Sequence, residues 1–336
     1  MKNLKVKEFR SKLRSIPEAV GLFEISGNEK TLFVKSSENL RKFLLYYCDN
    51  EHENKNIQEL SDLAESISYM EYDSLIEAFI HELIRVDKQK PAYNSLIKPW
   101  YDYLYLGVSF KEPPYLKISH DTLSDCYYIG PFRSSFVLND ILDTFAELFK
   151  LPRCIDENFP CDRLNGQQCL GYCQNKLGEA LPEVLNRLIM VPNKEAIQRL
   201  NIKYDQHLND LEFVKAENLK NDILLLKKYY KNLLFSYTSH YITGEYRIND
   251  SSVFIKNGLI EEVVSPDGYL KLIHPDLSYR RPNELLAFPK DEYDHRWIVY
   301  NFVYNTEPET IENLFMENVV ELQKSIFSEI NLEEKC

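Results

Sequence analysis

The chain has 336 residues, 44% hydrophobic and 27% charged, enough to bury a sizeable core and to divide into two or three domains. Its net charge of -12 excludes tight non-specific binding to phosphate backbones, which depends on clustered Lys and Arg releasing counterions, so contact with DNA must be weak, local or partner-assisted. No stretch of about 18 apolar residues is present to make a spanning helix, and the start Met1-Lys2-Asn3-Leu4-Lys5 has no apolar continuation, so a cytoplasmic protein without membrane contact is expected. In that compartment its seven cysteines are thiols or metal ligands rather than disulfides.

The first fourteen residues carry Lys2, Lys5, Lys7, Arg10, Lys12 and Arg14, with Val6, Phe9 and Leu13 at helical spacing. This predicts an amphipathic helix with a solvated basic face. A hairpin follows: Gly21-Leu22-Phe23-Glu24-Ile25, a turn over Ser26-Gly27-Asn28-Glu29, then Thr31-Leu32-Phe33-Val34. Ser37 or Glu38 begins a helix with Leu40, Phe43, Leu44 and Tyr47 at three- and four-residue steps.

The order and spacing of Val20-Gly21-Leu22-Phe23, Thr31-Leu32-Phe33-Val34-Lys35-Ser36, Asn39-Leu40-Arg41-Lys42-Phe43, Ala78-Phe79-Ile80-His81-Glu82 and Pro91-Ala92-Tyr93-Asn94 resemble the GIY-YIG nuclease domain of the bacterial excision-nuclease subunit UvrC and its shorter Cho-type relatives. In such families a tyrosine on each strand and an arginine on the helix surround the scissile phosphate, and a glutamate holds one divalent metal. Carried over residue by residue, the tyrosine positions are Phe23 and Phe33, and the arginine position is Phe43. Lys35 and Ser36 stand where a glycine and a lysine are usual. Phenylalanine keeps ring packing but neither takes up nor delivers a proton, and it offers nothing in place of a bidentate guanidinium. Arg41 is no substitute for Phe43, because two residues along a helix turn the side chain by about 200°.

Glu82 holds the metal-glutamate position, and Tyr47 and Asn94 match family positions. The resemblance therefore implies Mg2+ if the site is active, with relocated groups around Glu82 as the route to cutting. Against this, and ahead of it with the other groups gone, Glu82 reads as a solvated helix carboxylate and Tyr47 as a half-buried core ring.

Beyond Lys98, Pro113-Pro114-Tyr115-Leu116-Lys117-Ile118 and Cys126-Tyr127-Tyr128-Ile129-Gly130-Pro131-Phe132 read as short strands, and 136–150 as a helix. Cys154, Cys161, Cys169 and Cys173 follow, separated by six, seven and three residues among Pro152, Pro160, Gly166 and Gly171. Four thiols in a loop-rich stretch point to a tetrathiolate site, for which both zinc and an iron-sulfur cluster are suited. Cys161, Cys169 and Cys173 reproduce spacings of the UvrC cluster motif, and that resemblance implies [4Fe-4S], with Zn2+ as the alternative. Cys48, Cys126 and Cys336 are read as non-ligands.

Residues 194–235 are the most helical, with Leu200, Tyr204, Leu208 and Leu211 on one stripe and Phe213, Ala216, Leu219 and Ile223 on another after a break near Asp210. The segment 211–223 resembles the UVR motif, a helical hairpin, which implies a UvrB-like partner binding through 197–223; packing inside this chain serves the same stripe. Near the C-terminus Val253-Phe254-Ile255-Lys256-Asn257-Gly258-Leu259-Ile260 predicts a hairpin, Trp297–Val303 a further strand, and 308–330 an acidic helix. His295 falls in a predicted surface loop.

The expected architecture is α+β: a GIY-YIG-like domain at 1–97 with a small mixed sheet flanked by helices, a UvrC-like linker domain with the cysteines at 98–180, a helical hairpin at 190–236, and a β-rich C-terminal region at 237–336. The functional expectation is a divergent DNA-repair protein, a pseudoenzyme or weak endonuclease acting as a DNA-binding or adaptor module. An interaction protein using the hairpin is the reading from another class.

Overall fold

A computed structural model describes residues 1–48, 52–109, 115–122, 126–154, 161–174, 181–274 and 286–318. The chain forms two compact units. One comprises Met1–Pro99, Tyr241–Asp276 and Asp294–Thr306; the described residues of the other come from Trp100–His240, Leu277–Tyr293 and Glu307–Cys336.

The first unit opens with strand β1 (Lys2–Lys5) and helix α1 (Val6–Lys12), so the predicted helix is preceded by a strand rather than starting at the terminus. The reason is pairing: Lys2 to Lys5 lie antiparallel against Tyr69 to Ser66, and a largely exposed edge strand tolerates lysines. Strands β2 (Gly21–Gly27) and β3 (Lys30–Ser37) form the hairpin, with Asn28 and Glu29 at positive φ in its turn. Helix α2 (Leu40–Tyr47) is capped by Asn39, whose side chain accepts from the Lys42 amide. Helix α3 (Lys55–Leu63), strand β4 (Ser66–Glu71) and helices α4 (Leu75–Gln89) and α5 (Ala92–Leu96) complete this part.

The sheet order is β1-β4-β2-β3. Every pairing in it is antiparallel, a correction to the expected mixed sheet, because the direct β2–β3 turn and the return of the chain through α2 and α3 both deliver antiparallel neighbours. Gly21 has no room for a side chain: a Cβ there would collide with the Met70 carbonyl and Leu40. On the sheet face toward α2, Phe23, Ile25 and Phe33 pack with Leu40, Leu44, Tyr47, Ile57 and Leu60. Helix α4 packs against β3 and β2.

The second unit contains β5 (Leu104–Val108), β6 (Leu116–Ser119) and β7 (Tyr127–Phe132) in the order β6-β5-β7, all antiparallel. It continues with α6 (Ser135–Phe149), the short α7 (Asp162–Asn165) and α8 (Leu181–Leu185), then the long pair α9 (Lys194–Asn209) and α10 (Phe213–Thr238). Leu211, at φ 61°, makes the break between α9 and α10. Leu106, Ile129, Leu138, Phe145, Leu200, Leu219, Ile223 and Leu226 share one core, so the α9–α10 stripe is packed within its own unit.

The chain then returns to the first unit as an antiparallel meander, β8 (Gly244–Ile248), β9 (Ser251–Lys256), β10 (Leu259–Ser265) and β11 (Gly268–Lys271). Asn257 and Gly258, both at positive φ, make the predicted turn between β9 and β10. Helix α11 (Tyr293–Thr306) replaces the strand predicted over Trp297–Val303. The residues are β-formers, but Arg296, Val299, Tyr300 and Val303 are buried at i, i+3, i+4 and i+7, and tertiary burial overrides propensity. A helix covers 308–318; the rest of the predicted C-terminal helix and Cys336 lie outside the described residues, as do Pro113, Pro114 and Pro160. No helix among the described residues is long and apolar enough to cross a membrane.

Candidate functional site

Two of the three phenylalanines are core residues and the third is half-buried. Phe23 and Phe33 are buried, their ring centroids 6.1 Å apart, and Tyr47 closes a triangle at 5.8 Å from Phe23 and 4.9 Å from Phe33. The alternation of β2 and β3 places both phenylalanines on the face that α2 covers, and Phe43, one turn before Tyr47, packs half-buried on the same cluster. Such tilted ring pairs stabilise a core. The Tyr47 phenol is pushed up to about 12, first by burial and further by Tyr46, Glu82 and Asp294, with Lys35 opposing. At neutral pH it holds its proton.

Arg41 is engaged elsewhere. Its Nε donates to the Ile16 carbonyl at 2.8 Å, one terminal nitrogen pairs with Glu18 and the other donates to the Arg14 carbonyl at 3.2 Å. It fastens the segment between α1 and β2, in agreement with the rotation argued from the sequence.

Glu82 is buried on α4 and fully engaged from β3. Lys35 Nζ donates to Oε1 at 3.0 Å, while the Ser36 amide and Oγ donate to Oε2 at 2.7 and 2.5 Å. The solvated-carboxylate reading is thus corrected: Glu82 is satisfied from inside the protein. Because β3 is the outer strand of its sheet, both Lys35 and Ser36 can reach the same carboxylate although their side chains leave opposite faces. Burial lowers the Lys35 pKa, yet Glu82 foremost, then Asp294 and Tyr47, hold it above the ordinary value. Asn94, on α5, is bound to β3 at one residue: its Oδ1 accepts from the Val34 amide at 2.9 Å and its Nδ2 donates to the Val34 carbonyl at 2.7 Å. Asn94, Tyr47, Lys35 and Glu82 are therefore collected around β3, with α11 contributing Asp294 to the same electrostatic neighbourhood.

The expected loop position of His295 is also corrected. It lies in α11, half-buried, with its ring 4.9 Å from Phe79 and its Nε2 accepting the Ile260 amide at 2.8 Å. The adjacent Arg296 is 1% exposed and donates to the Asn257 carbonyl at 2.5 Å. The one signal for these contacts, the helical spacing of Arg296, Val299, Tyr300 and Val303, was masked by the β-forming residues of the same segment.

In the second unit Cys154, Cys161, Cys169 and Cys173 are half-buried free thiols, and Cys154, Cys169 and Cys173 pack on the core. They are near enough to influence one another: Cys154 is pushed up to about 11 by burial first and then by Cys173, Cys169 and Cys161. Yet among the described residues no three His, Cys, Asp or Glu side chains are arranged to hold a metal ion. The four thiols are gathered without being closed on a common centre. Cys48 is a buried core thiol raised to about 12 by burial.

No family model matches the chain. UvrABC system protein C of Ruminiclostridium cellulolyticum is 27% identical over 236 residues, covering 66% of this chain and 38% of that protein. Its counterpart in Rickettsia conorii is 27% identical over 229 residues, covering 65% of this chain and 36% of that protein. The matched part of the chain is UvrC-like. The chain spans little more than a third of the length of these curated relatives. Among solved structures, the GIY-YIG N-terminal endonuclease domain of UvrC from Thermotoga maritima bound to magnesium is 22% identical and covers 28% of this chain and 99% of that chain at a TM-score of 0.24. Within this chain the site consists of the buried Phe23 and Phe33, the half-buried Phe43 and the Lys35-Ser36 pair on Glu82.

Proposed function

We propose that this is a divergent UvrC-like protein of DNA repair whose GIY-YIG-like domain does not cut DNA and acts as a DNA-binding or adaptor module. One observation carries the reading: Glu82 already accepts from Lys35 and twice from Ser36. A divalent ion there has to displace an ammonium and two further donors, so the donor set does not fit Mg2+, which needs an available oxygen and keeps most of its waters. Phe23, Phe33 and Phe43 supply neither a phenol nor a guanidinium, and losing even one transition-state donor costs on the order of a hundredfold in rate. The test is incubation of the protein with nicked, bubble and lesion-bearing DNA in Mg2+ or Mn2+. No cutting is expected; metal-dependent cutting lost in Glu82→Ala would establish the active endonuclease instead.

Cys154, Cys161, Cys169 and Cys173 are the residues that would hold a [4Fe-4S] cluster, Zn2+ being the alternative. The support is the all-thiol donor set and the proximity of the four, and a bound centre supplies a point around which loop-rich chain folds. Iron with a brown colour, both lost in Cys169→Ser, is expected; zinc alone decides for the alternative, and neither metal sinks the proposal.

The adaptor role draws on the tip of the α9–α10 hairpin, where Leu211, Phe213 and Val214 are 72%, 61% and 77% exposed. A UvrB-like partner would cover these apolar groups. Co-purification with a UvrB-type protein is expected to be lost in Phe213→Ser combined with Val214→Ser.

A further inference from the structure

The second unit holds an open cleft of about 630 Å3 lined by Trp100, Tyr101, Tyr105, His120, Asp121 and Lys290. Tyr101 is 72% exposed, whereas Tyr105 is buried and donates its hydroxyl to the Phe288 carbonyl at 2.9 Å. One wall already accommodates a cation. Lys290 Nζ stands 5.8 Å from the centre of the Tyr105 ring and donates to the Tyr101 carbonyl at 3.3 Å. The same unit repeats this chemistry where the Arg133 guanidinium lies 5.1 Å from the Tyr293 ring.

The charge around the cleft selects among ligands. Asp121 and Lys290 both line the cleft, and burial first, then Asp291, Asp121 and Glu292, push the Tyr105 hydroxyl up to about 12, so acidic groups act on the Tyr105 wall. A phosphate is repelled by that balance, and the chain's net charge of -12 adds to the repulsion. A planar cation is favoured twice, by the ring faces and by the carboxylates.

We propose that this cleft binds an arginine side chain from a basic segment of a partner protein, its guanidinium set against Trp100 and Tyr101 and facing Asp121. The proposal does not depend on whether the first unit cuts DNA. Arginine is preferred to lysine because its flat guanidinium stacks on a ring while its edge still donates to a carboxylate.

The test titrates the full chain with a fluorescein-labelled Gly-Gly-Arg-Gly-Gly peptide and with the same peptide carrying neutral citrulline, read by anisotropy. The arginine peptide is expected to bind about fivefold more tightly than the citrulline peptide. Asp121→Asn and Tyr101→Ala should each remove most of that difference, while Tyr101→Phe, which keeps the ring, should retain it. A shift of the Trp100 indole signal, identified with Trp100→Phe, places the ligand in the cleft. Equal affinity for the two peptides, or no saturable binding, overturns the proposal. Tight binding of labelled oligothymidylate that Tyr101→Ala abolishes overturns it too and assigns the cleft to single-stranded nucleic acid.

Discussion

At Glu82, replacement by Gln leaves the Lys35 ammonium without its counter-charge in a mostly buried setting. Removing one partner of such a pair typically costs about 3 kcal/mol, and a loss of that order is expected in the urea midpoint. Millimolar Mg2+, by contrast, is expected to leave the melting temperature of the parent protein unchanged, since ligand binding to the folded state would raise it; a clear rise that Glu82→Gln abolishes would restore the metal site. His295 predicts the acid side of the stability curve. Burial first, then His274, Arg296 and Lys35, hold it well below the ordinary imidazole range. The unfolded chain takes up this proton near pH 6.5, the folded one only at lower pH, so stability is full above about 6.5 and falls below it by up to about 1.4 kcal/mol per pH unit. His295→Gln should flatten the drop in urea midpoint between neutral and mildly acid pH; an unchanged slope would remove His295 as its source.

At the scale of elements, α10 has two kinds of position. Leu226 is fully buried in the core of the second unit, and Leu226→Ala is expected to cost about 2–5 kcal/mol through lost burial and the cavity left behind. Val214, at the hairpin tip, is 77% exposed, and Val214→Ser should stay within about 0.5 kcal/mol. Chemical denaturation of both variants checks the contrast; equal costs would mean the hairpin packs differently. The elements also show where local pattern was legible. The Asn257-Gly258 turn follows from the left-handed backbone that a type I′ hairpin requires, and the break at Leu211 from a helix stripe that changes phase. Helix α11 was not legible, because its valines and aromatics favour a strand until the buried spacing around Arg296 decides.

For the molecule as a whole, the net charge of -12 sets the expected behaviour toward DNA. Binding of the isolated chain to duplex DNA should be weak, with a salt dependence corresponding to about two phosphate contacts; a slope of about six or more, measured by anisotropy over a salt series, would contradict the weak-binding reading. The division into two units adds a second expectation. Residues 241–276 and 294–306 belong with residues 1–99 rather than with the chain between them. In that first unit Lys88 donates to the Asp267 carbonyl, His81 lies 3.0 Å from Asp267, and Phe79 meets His295. The last strands are therefore part of the support of α4, the helix that carries Glu82.

By itself the sequence determined the β2–β3 hairpin and the helix after it, the presence of phenylalanine at 23, 33 and 43, the crowding of four cysteines and the helical hairpin, because each is written in local spacing or in side-chain chemistry. Only the tertiary structure decided what Glu82 does. Lys35 and Ser36 lie 47 and 46 residues before it, and no periodicity encodes which donors a carboxylate meets when an outer strand and a helix come together. The same holds for His295, whose acceptor role exists only because α11 lies beside the β9–β10 turn.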